Sequence, residues 1–302
     1  MSALKHGLHW TSLLILVILA AITTSTRAAT RSIEQQQAAD PAGSVEIINV
    51  AGSVEVLGWD KSEVAVTGQI GERVERVDIT GADKHLTIKV VLPTGGHWSG
   101  DGEARLTIHV PQMSSLSVSL VSADLKISGV SGAQQIHTVS GKVTTDGGSN
   151  SRVSTISGDV QVSVPAGTPA EVSTVSGDVS VRGAAGEVSI KSVSGGGKLD
   201  LGALSNFRLE TVSGDFYVKA HLAVGAQFEA SGVSGNLRTD FDGVTGATFD
   251  VSTLSGGISN CTDPKATTSQ HGPGAHLSFS SGDGKASVRI SSKSGDVTLC
   301  NK

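Results

Sequence analysis

Val175-Ser176-Gly177-Asp178-Val179-Ser180-Val181 is the stretch that decides the fold, because versions of it recur along most of the chain. The same Ser-Gly-Asp triplet stands at 157–159, 213–215 and 294–296, and looser copies keep the Ser-Gly pair. The central glycines follow one another at steps of 17 to 21 residues, at Gly141, Gly158, Gly177, Gly195, Gly214, Gly235 and Gly256. Self-similarity at such a period is typical of a solenoid, in which each repeat forms one coil of a stack.

Alternation within one repeat predicts which side chains face the core. Side chains two residues apart on a strand point to the same face, so the expected inward set is Val175, Gly177, Val179 and Val181. The outward set would then be Ser176, Asp178, Ser180 and Arg182. A turn at 183–186 leads to a second short strand, so each coil holds at least two strands. Replacing Val179 by aspartate is expected to unfold several coils, because it would bury an unpaired charge.

The fold class predicted from these patterns is all-β, a parallel β-solenoid of 17–21 residues per coil. Strand-like alternation runs from residue 43 onward, and no later segment keeps a helical period. Coils stacked about 4.7–4.9 Å apart in parallel register would form one continuous core of valine and isoleucine. A set of β-hairpins turning at Ser-Gly or Gly-Asp is the alternative, but recurrence of the whole unit favours the solenoid.

The chain divides into a leader, a lead-in and one repetitive domain. Residues 1–28 have the pattern of a signal peptide, with an apolar run over 12–22 and small residues up to Ala28. An uncleaved membrane anchor is the alternative, although the run is short for a membrane span. Residues 29–42 are polar and are expected to be a flexible lead-in. Residues 43–302 are predicted to form a single β-solenoid domain, with 43–111 as an irregular β section that caps the stack and 112–302 as the repeat array.

Charge and cysteine usage limit the partners and the compartment. The formal net charge is −5 and becomes −7 without the leader, which carries Lys5 and Arg27 but no acid. An acidic chain without a basic cluster argues against nucleic acid or an anionic membrane surface as a partner. In an exported chain, Cys261 and Cys300 are expected to form a disulfide that stabilises the fold by about 4 kcal/mol. Two separately buried free thiols are the alternative.

Two features of the sequence resemble a known family. One is the start at Gly52-Ser53-Val54-Glu55-Val56, with Trp59-Asp60 and Glu63-Val64-Ala65-Val66 after it; the other is the ladder of Val-Ser-Gly-Asp-Val units over 139–297. Over residues 43–300 the chain is similar to the bacterial DUF4097 family of β-strand-repeat proteins, which are described as adhesins. The resemblance implies a β-solenoid protein of the cell envelope without established catalytic residues.

The residue after each central glycine is a candidate metal ligand. This position is occupied in successive repeats by Lys142, Asp159, Asp178, Gly196, Asp215, Asn236 and Gly257. Like charges on neighbouring strands are unfavourable, and Ca²⁺ binds such oxygen ligands, so Asp159, Asp178 and Asp215 are weak candidates for a Ca²⁺ site. The nonapeptide typical of calcium β-rolls is absent. We favour the alternative that Asp and Asn are common after glycine in turns, and no cofactor is expected.

No catalytic residue is predicted. A serine precedes each central glycine, so many Ser/His/Asp combinations could be assembled, and no Gly-x-Ser-x-Gly elbow stands on a strand-turn-helix pattern. A polysaccharide lyase or hydrolase is the enzyme alternative. Glycosidase chemistry needs two carboxyls at a set separation, and the chain is only 3% aromatic, which is low for a glycan-processing cleft.

Two clusters outside the repeats could bind a partner or a metal. His97, Trp98 and Asp101 lie in the glycine-rich loop 94–102 and are the candidate partner-binding loop; an ordinary flexible loop is the alternative. His271 and His276 could ligate a metal, but two histidines without a third ligand are a weak signal. Their segment lengthens one repeat, so we expect a surface insertion that Cys261 ties to the last strand.

The sequence therefore predicts an exported, non-catalytic cell-envelope protein in the periplasm or at the surface of a bacterium, without membrane insertion once the leader is cleaved. It would present Ser/Thr/Asp-rich faces to a protein or glycan partner. The alternatives are a regulatory or envelope-stress accessory protein that binds a membrane partner, and a polysaccharide-active enzyme.

Overall fold

The computed structural model describes residues 30–93, 102–243, 246–262, 264–268 and 274–301, so the predicted signal peptide lies outside the described residues. Within these ranges the protein is all-β, and no helix there could cross a membrane. The strands before the repeats are β1 (Arg31–Ala38), β2 (Ser44–Trp59), β3 (Glu63–Ile70), β4 (Arg76–Ala82), β5 (His85–Val91) and β6 (Ala104–Pro111).

The repeat array begins with β7 and continues to the end of the described chain. Its first strands are β7 (Ser115–Val130), β8 (Gln134–Ser140), β9 (Val143–Gly147), β10 (Ser151–Ser157), β11 (Val160–Ser163), β12 (Ala170–Ser176), β13 (Val179–Arg182) and β14 (Gly186–Ser194). They are followed by β15 (Gly197–Ser213), β16 (Phe216–Ser234), β17 (Leu237–Phe241), β18 (Gly246–Ser255), β19 (Ile258–Asn260), β20 (Thr267–Thr268), β21 (Ala275–Gly282), β22 (Ala286–Ser294) and β23 (Val297–Asn301).

Each coil of the array has one strand before the Ser-Gly corner and one after it, and we refer to a coil by its corner glycine. In the Gly177 coil these strands are β12 and β13. β12 pairs in parallel with β10 and β14, and β13 pairs in parallel with β11 and β15. Parallel pairing between successive repeats is the arrangement of a β-solenoid, so the predicted fold is confirmed and the hairpin alternative is wrong.

The core lies between the strands that precede the corners and those that follow them. In the Gly177 coil, Ala170, Val172, Val179 and Val181 point into this space, and none is more than 3% exposed. The buried cluster continues along the stack from Ala39 to Leu299. A single coil could not bury these side chains by itself; stacking does so, and each buried valine contributes about 1.5–3 kcal/mol.

Val175 does not belong to this core, and its predicted inward orientation is wrong. The side chain is 46% exposed. Gly177, between Val175 and Val179, has φ of +125°, a backbone conformation that L side chains rarely adopt. The chain turns sharply there, so the inward and outward alternation starts again after the corner.

The N-terminal end of the stack turns from parallel to antiparallel pairing. β2 pairs in parallel with β7 on one side and with β5 and β6 on the other. β4 then pairs antiparallel with β5, and β3 pairs antiparallel with β6. The predicted irregular section thus consists of one regular coil and an antiparallel outer edge.

The segment predicted as a flexible lead-in, 29–42, contains strand β1, and that prediction is wrong. β1 pairs antiparallel with β3, and its side chains reach carbonyls in and just before β4. Arg31 donates a hydrogen bond to the carbonyl of Val74 at 2.6 Å, and Gln35 donates to that of Val77 at 3.0 Å. Backbone carbonyls at a sheet edge need polar partners, so a strand that covers this edge requires such side chains.

The last coil in the sequence is not the last coil in the stack. β22 pairs in parallel with β16 and with β18, and β23 pairs in parallel with β17 and β19. The Gly295 coil therefore lies between the Gly235 coil and the Gly256 coil. This corrects the simple stacking order in which neighbouring repeats of the sequence are neighbours in the solenoid.

The outer edge of the Gly256 coil is covered by the chain that follows it. β21 pairs antiparallel with β18, and the short β20 pairs with β21. The sequence predicts a surface insertion here, but β21 is part of the sheet. The predicted disulfide joins Cys261 and Cys300, whose Cα atoms are 4.8 Å apart, so the Gly256 and Gly295 coils are covalently linked.

Candidate functional site

The repeated Ser-Gly-Asp triplet forms the corner at which the chain passes from one strand layer to the other. A Cβ atom on Gly177 would lie 2.3 Å from the carbonyl oxygen of Gly158 in the neighbouring coil. Glycine is therefore required both by the backbone conformation and by the close stacking of the corners. The same stacking of one glycine on the next recurs at Gly158, Gly177, Gly195, Gly214, Gly235, Gly295 and Gly256.

The aspartate after the corner glycine binds the backbone of the next coil. Asp159 Oδ1 accepts a hydrogen bond from the backbone N–H of Asp178 at 3.1 Å, and Asp178 Oδ1 accepts one from Gly196 at 2.9 Å. The Oδ1 atoms of the equivalent residues do the same, namely Asp124, Asp215, Asn236 and Asp296. These hydrogen bonds join one coil to the next. They give a structural reason for Asp or Asn after the corner glycine, in line with the interpretation of these residues as turn residues.

The residue before the serine of each corner is apolar in most coils and points to solvent. Register places these residues in one column, because the serines that follow them pair from coil to coil. They are between 40% and 65% exposed. We call this column the corner ridge; its members are Val121, Val139, Ile156, Val175, Val193, Val212, Val233 and Leu254.

The corner ridge is long compared with an isolated exposed valine. Seven members, from Val121 to Val233, follow one another without interruption, and Lys293 then separates Val233 from Leu254. At about 4.8 Å per coil the uninterrupted part spans about 29 Å. Contiguous apolar surface of this kind is typical of interaction sites.

A groove of about 730 Å³ runs beside the ridge. One wall consists of ridge side chains, and the other consists of outward residues two positions earlier on the same strands. The polar wall includes Lys191, whose Nζ lies 3.6 Å from Glu210 Oε2. The groove is lined by Ser173, Val175, Lys191, Val193, Glu210, Val212, Ser231, Val233, Ser291 and Lys293, among others. Its two walls thus differ in polarity.

Hydroxyl groups stabilise the inner side of the corner. Thr138 and Thr174 donate to the carbonyls of Ser140 and Ser176 at 3.2 and 3.3 Å. Thr253 donates to the carbonyl of Gly256 at 2.8 Å. These bonds hold the turn from inside in the coils of Val139, Val175 and Leu254.

The aspartates proposed as weak Ca²⁺ ligands are stacked along the corner and do not converge on one point. Asp159 and Asp178 belong to adjacent coils, whereas Gly196 stands between Asp178 and Asp215. Among the described residues, no group of three or more His, Cys, Asp and Glu side chains is arranged to hold a metal ion.

The other predicted residues lie away from the corner or outside the described chain. His97, Trp98 and Asp101 lie outside the described residues, as does His271. His276 lies on β21, with Nδ1 3.8 Å from Asp250 Oδ1. His276 takes no part in the corner ridge.

Tyr217, Asp240 and Arg238 form a polar cluster on the strand face beyond the corner, in which the pKa of the tyrosine is raised. The Tyr217 hydroxyl donates to Asp240 Oδ2 at 2.7 Å. This hydrogen bond, followed by burial, raises the pKa of Tyr217, and the Arg238 guanidinium lies 6.0 Å from the ring centre. The phenol is therefore a fixed, neutral donor near neutral pH.

The corner ridge is the surface that sequence reasoning missed. Continuous alternation through Gly177 assigns Val175 to the core. The sequence did contain a signal, because the apolar residues that face inward have even numbers before the glycine and odd numbers after it. Ala170 and Val172 are buried before the corner, and Val179 is buried after it. Counting alternation separately on each side would have placed Val175 outward.

Comparison with solved structures finds similar chains that differ strongly in sequence. A "putative adhesin" from Bacteroides fragilis is 10% identical, with 91% of this chain and 99% of that chain covered and a TM-score of 0.41. A "putative lipid binding protein" from Parabacteroides distasonis is 11% identical, with 89% and 96% covered and a TM-score of 0.37. A "putative cell adhesion protein" from Clostridium sporogenes is 11% identical, with 90% and 100% covered and a TM-score of 0.22. All three TM-scores are below 0.5, so nothing about this chain is inferred from those proteins.

The family is established by sequence. No curated protein matches the chain, but the model of the family described as Toastrack DUF4097 matches residues 42–300. This range contains all but the last two residues of the repeat array, the whole corner ridge and both cysteines. The chain belongs to the Toastrack DUF4097 family.

Proposed function

We propose that this protein is an exported, non-catalytic binding protein of the bacterial cell envelope, and that it binds a protein partner through the corner ridge. The observation that carries the proposal is the column of apolar side chains that the fold holds in solvent. A valine at this position contributes nothing to the core, whereas Val179, in the same repeat, is 1% exposed.

The ridge is suited to binding because its geometry is fixed before a partner arrives. Most members stand two residues before a corner glycine that allows no side chain. In several coils the residue after that corner is an aspartate or asparagine that accepts a hydrogen bond from the adjacent coil. A preorganised surface loses little conformational entropy on binding. The groove beside it offers room for the partner's side chains.

Aliphatic ridge residues favour a protein partner over a glycan. Apolar protein surfaces pack well against valine and isoleucine, whereas the ridge offers no aromatic ring on which a sugar could stack. In addition, the exposed carboxylates of Asp159, Asp178 and Asp215 follow the ridge three residues later in the chain. Within the described residues, these three carboxylates form no ion pair, although they line a second groove of about 490 Å³ together with Lys142 and Lys198. We therefore infer a partner surface with aliphatic side chains next to lysine or arginine.

A site-specific photocrosslinker placed at Val193 in living cells tests the proposal. The matched control carries the same crosslinker at Arg182, which is exposed on the strand face beyond the corner. We expect a defined protein adduct from position 193 and none from position 182. Adducts from both positions in equal yield, or from neither, would contradict a binding role for the ridge.

The charge part of the proposal has its own test. Asn236 makes the same inter-coil hydrogen bond as the aspartates, so changing Asp159, Asp178 and Asp215 to asparagine removes charge and keeps the corner. The adduct at position 193 should fall in this variant and should stay constant when Asp60, Asp146 and Asp200, which lie elsewhere, are changed to asparagine. An equal response of the two triple variants would contradict the inferred basic partner surface.

A further inference from the structure

Residues 286–301 lie between two coils whose strands do not pair with each other. We call the space that these residues fill the slot. β22 and β23 pair on one side with the Gly235 coil and on the other side with the Gly256 coil. Their inward side chains complete the core, since Val288, Ile290 and Leu299 are fully buried. Both neighbouring coils precede this segment in the sequence, so the two strand edges that form the slot come from residues outside 286–301.

The slot is a binding site for two parallel strands. Without residues 286–301, β16 and β17 would expose one edge, and β18 and β19 would expose the facing edge. Unpaired strand edges are templates for pairing with another chain. Because pairing is parallel on both sides and the buried side chains must fit, the segment that matches the slot best is this segment itself.

The connection into the slot is short. Residues 283–285 carry the chain from β21, on one edge of β18, to β22, on the other edge. The connection passes close to the start of β18: a Cβ atom on Gly246 would lie 2.6 Å from the backbone nitrogen of Asp283. Short hinge connections favour exchange of the following element between identical chains.

We propose that this slot is a strand-exchange site, and that residues 286–301 of a second copy of this chain can occupy it. Reciprocal exchange joins two copies, and one-way exchange leaves a slot open for a third copy. The partner is thus the chain itself, and the site is separate from the corner ridge and goes beyond the proposed binding role. Cys300 of the incoming copy would meet Cys261 of the receiving copy, as these residues meet within one chain.

The disulfide allows a direct test with two complementary variants. Cys261→Ser keeps only Cys300, and Cys300→Ser keeps only Cys261. When the two full-length variants are refolded together under oxidising conditions, exchange should produce a covalent heterodimer on a non-reducing gel, through oxidation of the two thiols by the added oxidant. Each variant refolded alone lacks the partner cysteine and should therefore give no covalent dimer. Absence of the heterodimer from a mixture in which both variants fold would overturn the proposal.

A second measurement uses the unaltered cysteines, in case either variant fails to fold. Two differently tagged wild-type copies are refolded together, or refolded separately and then mixed. Exchange predicts that the tags copurify after joint refolding and not after later mixing. Equal copurification in the two experiments would show that the copies bind through their surfaces and do not exchange strands. No copurification in either experiment would show that no exchange takes place. Each of these results would overturn the proposal.

Discussion

Val175 and Val179 are four residues apart in one repeat and have opposite roles. Val179 is 1% exposed and packs in the core, whereas Val175 is 46% exposed and stands on the corner ridge. The difference arises at Gly177, whose positive φ resets the alternation of the strand. One repeat therefore produces two apolar columns, of which the inner one stabilises the fold and the outer one remains available for a partner.

The largest expected effect comes from placing a charge in the inner column. Val179→Asp buries an unpaired carboxylate between stacked coils and should reduce the free energy of unfolding by several kcal/mol. Val175→Asp, the matched change on the ridge, leaves the carboxylate in water and should alter stability by less than about 1 kcal/mol. Urea unfolding of both variants measures the difference. Similar losses in the two would contradict the assignment of inner and outer columns.

A smaller but still large effect is expected at the corner that separates the columns. Gly177→Ala places a Cβ atom in a φ region that costs about 1 kcal/mol or more, and 2.3 Å from a carbonyl oxygen of the next coil. Gly232→Ala is the control, since its Cβ would meet nothing closer than 3.5 Å. We expect a loss of stability only at Gly177, read from the melting temperatures. A loss of the same size at Gly232 would show that the corner has no special requirement.

The aspartate column should respond to a change of hydrogen bonding and tolerate a change of charge. Asp178→Ala removes the acceptor of the Gly196 N–H and should cost about 0.5–1.5 kcal/mol. Asp178→Asn keeps an acceptor at the same place, as Asn236 does, and should cost less than the alanine change. Thermal unfolding with and without added Ca²⁺ compares the two variants. A Ca²⁺-dependent rise in the melting temperature that Asn abolishes would favour the metal interpretation of this column.

The fold class could be predicted because it depends on a local, repeated pattern. The Ser-Gly-Asp period sets the coil, and the alternating valines of β12 and β13 set the core, so the solenoid and the inward position of Val179 followed from sequence. The cysteine pair followed from composition and compartment. These features need only short-range patterns or counts.

The features that could not be predicted depend on contacts between distant parts of the chain. Gln35 reads as a flexible polar residue until the carbonyl of Val77 is placed beside it. The position of β22 between β16 and β18 follows from long-range strand pairing. The spacing of the repeats in the sequence does not determine which coils become neighbours in the stack. Val175 differs from these two cases, because it was assigned to the core by continuing the alternation through Gly177 instead of counting it separately on each side of the glycine.

The most direct test of the account combines binding and stability in one protein. In the variant with Val175→Ser and Val212→Ser, the photocrosslinker at Val193 loses its two apolar neighbours on the ridge. We predict that the protein adduct disappears while the free energy of unfolding changes by no more than about 1 kcal/mol per substitution. An adduct of undiminished yield would contradict the ridge as the binding surface, and a collapse of stability would show that the ridge belongs to the core.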